Sequence, residues 1–183
     1  MATKRRAEVG RRRTDFIVAI GELLKDLAPL RYEPTLVGGM ALVTLGSPRV
    51  TKDFDFLVVE SAREEKALIG TFYRHGFELA SKTDTQGNIL RTIDSQDVAS
   101  ARLRIDRPKS ASFYNPHLGL RIDLLFDFPI GARDVRRRST RKKIQSYSLH
   151  IASKRDLVRM KELAAAARGL SSDIQDLEFL KSI

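Results

Sequence analysis

The sequence predicts an α/β (α+β) domain: a small mixed β-sheet flanked by helices and closed by a short C-terminal helical part. Three observations carry this. In the first half, segments with apolar residues at helical spacing alternate with apolar runs of strand length. The middle holds several strand-like runs separated by polar turns, and two amphipathic segments end the chain. Hydrophobic residues make up 42% of 183 residues, enough to bury the core of one domain.

The elements follow in order. Thr14 is placed to cap a helix in which Phe16, Ile17, Ile20, Leu23, Leu24 and Leu27 share one face, and Pro29 ends it. "TLVGG" reads as a short buried strand running into a turn, "MALVTLG" as a short helix stopped by Gly46, and "SPRVTK" as a loop. "DFDFLVVE" is a strand. Ser61 is placed to cap a second helix running to about Arg74, with Gly76 beyond it. "FELA", "NILRTI", "SARLRID" and "HLGLRIDLLFDF" read as strands. Residues 129–143 read as a short helix and a turn, and "SYSLHIA" as the last strand. Ser153 and Asp156 form a capping box for the helix "KRDLVRMKELAAAAR", which Gly169 stops; Ser171 or Ser172 caps the final helix. This divides the chain into a basic, flexible tail (1–13), a core (14–150) and C-terminal helices (151–183).

Composition narrows the function. With no cysteine, disulfide frameworks and thiolate metal sites are excluded. No apolar run approaches the roughly 18 residues of a membrane span, and the N-terminus lacks a signal-peptide core, so a cytoplasmic protein with no membrane partner is expected. The net charge of +10 predicts attraction to polyanions such as RNA, DNA or nucleotides.

The sharpest signal is a pair of aspartates at the head of an apolar strand. Side chains alternate along a strand, so Asp53 and Asp55 share one face. Two carboxylates about 5 Å apart repel by roughly 3 kcal/mol at an effective dielectric of about 20. A lysine or arginine could offset this, with Arg49 and Lys52 nearby; the other answer is a divalent cation, and oxygen-only ligands suit Mg²⁺ or Mn²⁺. A third aspartate, Asp123, lies inside the apolar run "LRIDLLFD" and needs a partner. Asp127, at that run's end, is read as surface or turn. Three carboxylates on two strands could hold two metals for an in-line phosphoryl displacement. Gly38 and Gly39 stand at a strand-to-helix turn, where glycine lets the backbone approach a phosphate closely.

Together these residues resemble the signature of the polymerase-beta-like nucleotidyltransferase superfamily: "LVGG", 13 residues, then "DFDF", with "IDL" at Ile122–Leu124 as the third-carboxylate strand. The finer resemblance is to the minimal toxin-type branch, the AbiE (AbiEii) toxins, in the loop "SPRVTKDFD" and in "DLVRMKELAAAAR…SDIQDLEFL". It runs from about Arg31 to Leu180 and is weakest between Phe77 and Pro116. The resemblance implies a nucleotidyltransferase fold over the core. It implies that Gly38 and Gly39 face the nucleotide phosphates, with Arg49 and Thr51 lining that side. Asp53 and Asp55 would ligate Mg²⁺, and Asp123 would complete the metal site and help deprotonate the attacking hydroxyl. Lys161 would contact the triphosphate, supported by Asp173 and Asp176. It also implies an NTP substrate and a cognate antitoxin.

The run "RDVRRRSTRKK" holds seven basic residues, Arg133, Arg136, Arg137, Arg138, Arg141, Lys142 and Lys143, and clustered cations reward contact with an RNA backbone. His75, His117 and His150 show no ligand spacing and read as structural or surface residues. The leading expectation is therefore an Mg²⁺-dependent nucleotidyltransferase with an RNA acceptor, the 3′ end of tRNA, acting as a toxin. The alternatives are transfer to a small molecule such as an antibiotic, and an inactive fold that binds nucleotide, RNA or protein.

Overall fold

The computed structural model describes residues 16–183 apart from 31, 60–64, 86 and 107. The expected tail (1–13) and the caps Thr14 and Ser61 lie outside the described residues. Helix α1 (16–27) buries Ile20, Leu23 and Leu27, the face its spacing predicts, and a 3₁₀ turn follows at Ala28–Leu30. Then come β1 (Thr35–Val37), α2 (Gly38–Thr44), β2 (Phe54–Val58), α3 (Glu65–Arg74), β3 (Glu78–Thr83), β4 (Ile89–Ile93) and α4 (Gln96–Asp106). They are followed by β5 (Ser110–Asn115), β6 (Leu120–Phe126), α5 (Ala132–Arg138), β7 (Thr140–Ile144), β8 (Tyr147–Ile151), α6 (Lys154–Arg168) and α7 (Ser171–Ser182).

The strands form one mixed sheet of eight, in the order β4-β3-β5-β6-β2-β1-β8-β7. Its centre is apolar because β2 is covered on both faces: Phe54, Phe56, Leu57 and Val58 are all buried. Helix α3 contributes Leu68, Ile69 and Phe72 to the core. Phe72 stacks on Phe113 of β5 (centroids 4.1 Å apart) and meets Phe77 edge-on at 5.9 Å. Strand β2 pairs antiparallel with β1 and parallel with β6, which puts the two aspartate-bearing strands side by side. Among the described residues, no helix is long and apolar enough to cross a membrane.

Three local expectations are corrected. "SARLRID" is not a strand but the body of α4. The alternation Ala101, Leu103, Ile105 imitates a strand, but the Ser95 hydroxyl and carbonyl accept the N–H groups of Val98 and Ala99 (3.4 and 3.0 Å) and start a helix. The strand of that region is "SASFYN", poor in β-branched residues yet alternately buried at Ala111, Phe113 and Asn115. The expected turn after α5 is instead β7, an almost wholly exposed edge strand whose cations guard the sheet margin. Finally, α7 is capped by Leu170 without a side-chain bond, not by Ser171 or Ser172. The Ser153–Asp156 cap stands as predicted: Ser153 Oγ accepts the Asp156 N–H at 3.2 Å. Gly169 ends α6 in the left-handed conformation at φ 63°.

Replacing Phe72 by alanine removes the centre of the aromatic cluster. Urea unfolding of Phe72→Ala should show a loss of about 3–5 kcal/mol.

Candidate active site

Register builds the site. Val37 of β1 stands opposite Asp55 of β2, Asp55 opposite Asp123 of β6, and Asp123 opposite Ser112 of β5. Asp55 and Asp123 are thus neighbours on one sheet face. Asp53 lies just before β2, with its N–H on Thr51 Oγ1 at 3.3 Å, a bond that tightens the loop leading into the strand. Gly38, Gly39, Arg49, Thr51, the three aspartates, Lys161 and Asp173 all line one cleft of about 720 Å³.

The two glycines make room for side chains of the chain itself. Gly38 has φ 63°, and a Cβ on it would fall inside the Asp55 carboxylate. A Cβ on Gly39 would lie 2.8 Å from the Arg49 guanidinium carbon. The expected glycine turn is therefore present, but what comes close to it in this structure is Asp55 and Arg49.

Burial pushes the Asp55 carboxyl up to about 6, reinforced by the charges of Asp123 and Asp53. Asp53 is also raised, first by shielding from solvent and then by Asp123, while Arg121 opposes the rise. The cation hydrogen-bonded to this trio is Arg121; the expected Lys52 and Arg49 also oppose the rise of Asp53, more weakly than Arg121, and Lys161 opposes that of Asp55. Arg121 Nε donates to Asp123 Oδ1 at 2.8 Å. Burial disfavours the Arg121 charge, but the bond to Asp123 and the charges of Asp123, Asp53 and Asp55 outweigh it and hold its pKa above the ordinary value. Sequence reasoning missed Arg121, although positions 121 and 123 must share a strand face.

The opposite wall comes from α6 and α7. Lys161 Nζ donates to Asp173 Oδ1 at 2.9 Å and pairs with Asp176 Oδ2 at 2.6 Å. Arg49 Nη1 pairs with the same Asp176 oxygen. Asp173 and Asp176 are buried, so two carboxylates hold two cations at the edge of the cleft. Leu157, Met160, Leu163 and Ala164 of α6, with Phe128 and Pro129, give that wall an apolar face.

The basic run does not form one free surface. Arg138 makes a two-pronged pair with buried Asp156 (3.1 and 2.6 Å), and Arg136 reaches Glu33 (3.6 Å) and the Pro34 carbonyl (3.3 Å). Lys142 Nζ donates to the Thr44 carbonyl. Exposed Arg137 meets Asp134 at 3.1 Å, and Arg133, Arg141 and Lys143 are exposed. Asp127 turns the chain with φ 48° and accepts the Ala132 N–H at 2.8 Å. His75 meets Asp26 at 2.9 Å and His150 meets Ser139 at 3.0 Å, both outside the cleft.

Known proteins give these features a family. The family model described as "Nucleotidyl transferase AbiEii toxin, Type IV TA system" matches residues 22–182. The chain belongs to the AbiEii nucleotidyltransferase toxin family. It is a nucleotidyltransferase by that membership, and its fold agrees. A search of curated proteins finds no match. Among solved structures it resembles an antigenic nucleotidyltransferase-like protein from Paracoccidioides brasiliensis, with TM-score 0.58 and 16% identity over 90% of this chain and 74% of that one. It also resembles the antibiotic-resistance factor ANT(2″)-Ia, with TM-score 0.60 and 11% identity over 92% of this chain and 84% of that one. The lincosamide antibiotic adenylyltransferase LnuA gives TM-score 0.53 and 12% identity over 90% of this chain and 96% of that one. At these identities the likeness is one of fold.

The carboxylates offer the oxygen donors that suit Mg²⁺ or Mn²⁺; Asp55 is raised first by burial and then by the charges of Asp123 and Asp53, and that repulsion is what a divalent cation would relieve. Among the described residues, no three or more acidic, histidine or cysteine side chains stand close enough together to hold a metal ion as they are placed.

Two outcomes follow from this geometry. The Asp55 carboxyl titrates higher folded than unfolded, so its contribution to stability is full below pH 4 and is lost as pH rises through about 6. Thermal melts in chelator should show this loss, on the order of 3 kcal/mol, in the wild type and not in Asp55→Asn. Gly38→Ala forces a side chain into both a left-handed conformation and the Asp55 carboxylate; it should cost at least about 1–2 kcal/mol in urea unfolding and abolish transfer activity.

Proposed function

We propose that this chain moves a nucleoside monophosphate from an NTP to a hydroxyl on RNA, the 3′ end of tRNA, in an Mg²⁺- or Mn²⁺-dependent reaction, as the toxin of a toxin–antitoxin pair. The observation that carries the reading is the register pair Asp55–Asp123 facing Lys161 and Arg49 across one cleft. Carboxylates on one wall and cations on the other match a triphosphate that must be both neutralised and aligned.

In this reading Asp53, Asp55 and Asp123 hold the divalent cation, which when bound supplies charge neutralisation at the reacting phosphate. Lys161 and Arg49, aimed by Asp176 and Asp173, take the triphosphate oxygens, with Gly38, Gly39 and Thr51 on the same side. The acceptor oxygen attacks the α-phosphorus, the bond to the pyrophosphate oxygen breaks, and pyrophosphate leaves. Asp123 receives the hydroxyl proton. RNA is favoured as acceptor by the net charge of +10 and by exposed Arg133, Arg137, Arg141 and Lys143, with Arg136, Arg138 and Lys142 available only if their internal bonds give way.

A second reading has one observation behind it. The apolar face of Leu157, Met160, Leu163 and Phe128 could receive a small organic acceptor, and two proteins of this fold are an antibiotic-resistance factor and a lincosamide antibiotic adenylyltransferase. The third, an inactive binding fold, predicts RNA binding without turnover.

Purified protein incubated with Mg²⁺, each α-labelled NTP in turn and total tRNA separates the three. Label should enter RNA and vanish in Asp53→Ala while RNA binding persists. Label that enters only a small-molecule acceptor supports the second reading, and full activity of Asp53→Ala would sink the site assignment.

A further inference from the structure

We infer that Arg121 is a positioning residue of the transfer site, holding Asp123 and the tip of the β3–β4 hairpin as one rigid unit so that the Asp123 carboxylate meets its ligands in one orientation. This rests on the reading of Asp123 as a carboxylate of the site. The guanidinium makes three directed bonds: Nε to Asp123 Oδ1 (2.8 Å), Nη1 to the Gly87 carbonyl (2.7 Å) and Nη2 to Ser112 Oγ (3.1 Å). These partners come from three places, β6, the β3–β4 turn and β5, so one side chain ties all three together.

The hairpin reaches this point by running on past its pairing with β5. β3 pairs with β5 only at Glu78 and Leu79, and its register with β4 then shifts at Ala80/Lys82 and again at Lys82/Thr83. Such irregularities bend a ribbon. The turn closes on itself through the Asp84 N–H to the Asn88 carbonyl (2.9 Å) and the Asn88 N–H to Asp84 Oδ1 (2.8 Å). Gly87, at φ 84°, presents its carbonyl to Arg121.

Two consequences follow. Asp123 Oδ1 accepts from Arg121, which fixes the orientation in which the carboxylate meets a metal and an acceptor hydroxyl. A hairpin two strands away from Asp123 in the sheet is fixed relative to the reacting groups. A lysine at position 121 would keep the charge but not the planar fork that satisfies three acceptors at once.

The test uses the full chain with Arg121→Lys and Arg121→Ala. Hydrogen exchange without metal should show the amides of Asp84, Gly87 and Asn88 opening about tenfold faster or more in both variants, with β2 and β6 unchanged. Steady-state kinetics should show kcat down about 10–100-fold in both, with the KM for NTP moving less than about threefold. Unchanged exchange in the lysine variant would overturn the tether. Recovery of kcat by lysine would overturn the positioning role and leave only charge. If Arg121→Ala fails to fold, the lysine variant alone decides. Exchange needs no turnover, so it judges Arg121 even if the wild type proves inactive on RNA.

Discussion

Two negative charges side by side on adjacent parallel strands are the condition that the rest of this site answers. Asp55 and Asp123 are register partners, and the β-ladder allows neither to move away without breaking the centre of the sheet. Burial, reinforced by the charges of Asp123 and Asp53, raises the Asp55 carboxyl to about 6. Gly38 gives up its side chain so that Asp55 has room, and Arg121 supplies the positive charge that Asp123 requires. The buried β2 behind them, packed on both faces, makes the arrangement rigid.

The second wall solves the opposite problem. Arg49 and Lys161 would repel each other and wander as free side chains; Asp173 and Asp176, buried in α7, fix them. This gives the C-terminal helices a structural reason to stand where they do: α7 carries the anions, α6 carries the lysine, and the loop before β2 brings the arginine. Such a network is strong where it is fully satisfied, because its charges are shielded from water.

Much of this was legible in the sequence because it is local. The Gly-Gly turn, the Asp-x-Asp at a strand head, the third aspartate in an apolar strand and the serine-capped helix α6 are all short local patterns. What stayed hidden depends on contacts between distant segments. Arg121 is a partial exception: strand alternation put it beside Asp123, but attention to nearby loop cations pointed to Arg49, which the fold assigns to Asp176. The basic run looked like one patch because sequence cannot reveal that Asp156 and Glu33 arrive from elsewhere to take Arg138 and Arg136. In "SARLRID", a period-two accident outweighed a serine cap one turn upstream.

The central claim is that Asp55 and Asp123 act together on one divalent cation. Mn²⁺ binding followed by electron paramagnetic resonance, on the wild type, Asp55→Asn, Asp123→Asn and the double variant, tests it most directly. The account predicts that each single change weakens binding by about tenfold or more, and that the double change weakens it by less than the product of the two, because the pair shares one ion. Mn²⁺ affinity unchanged in either single variant would contradict it.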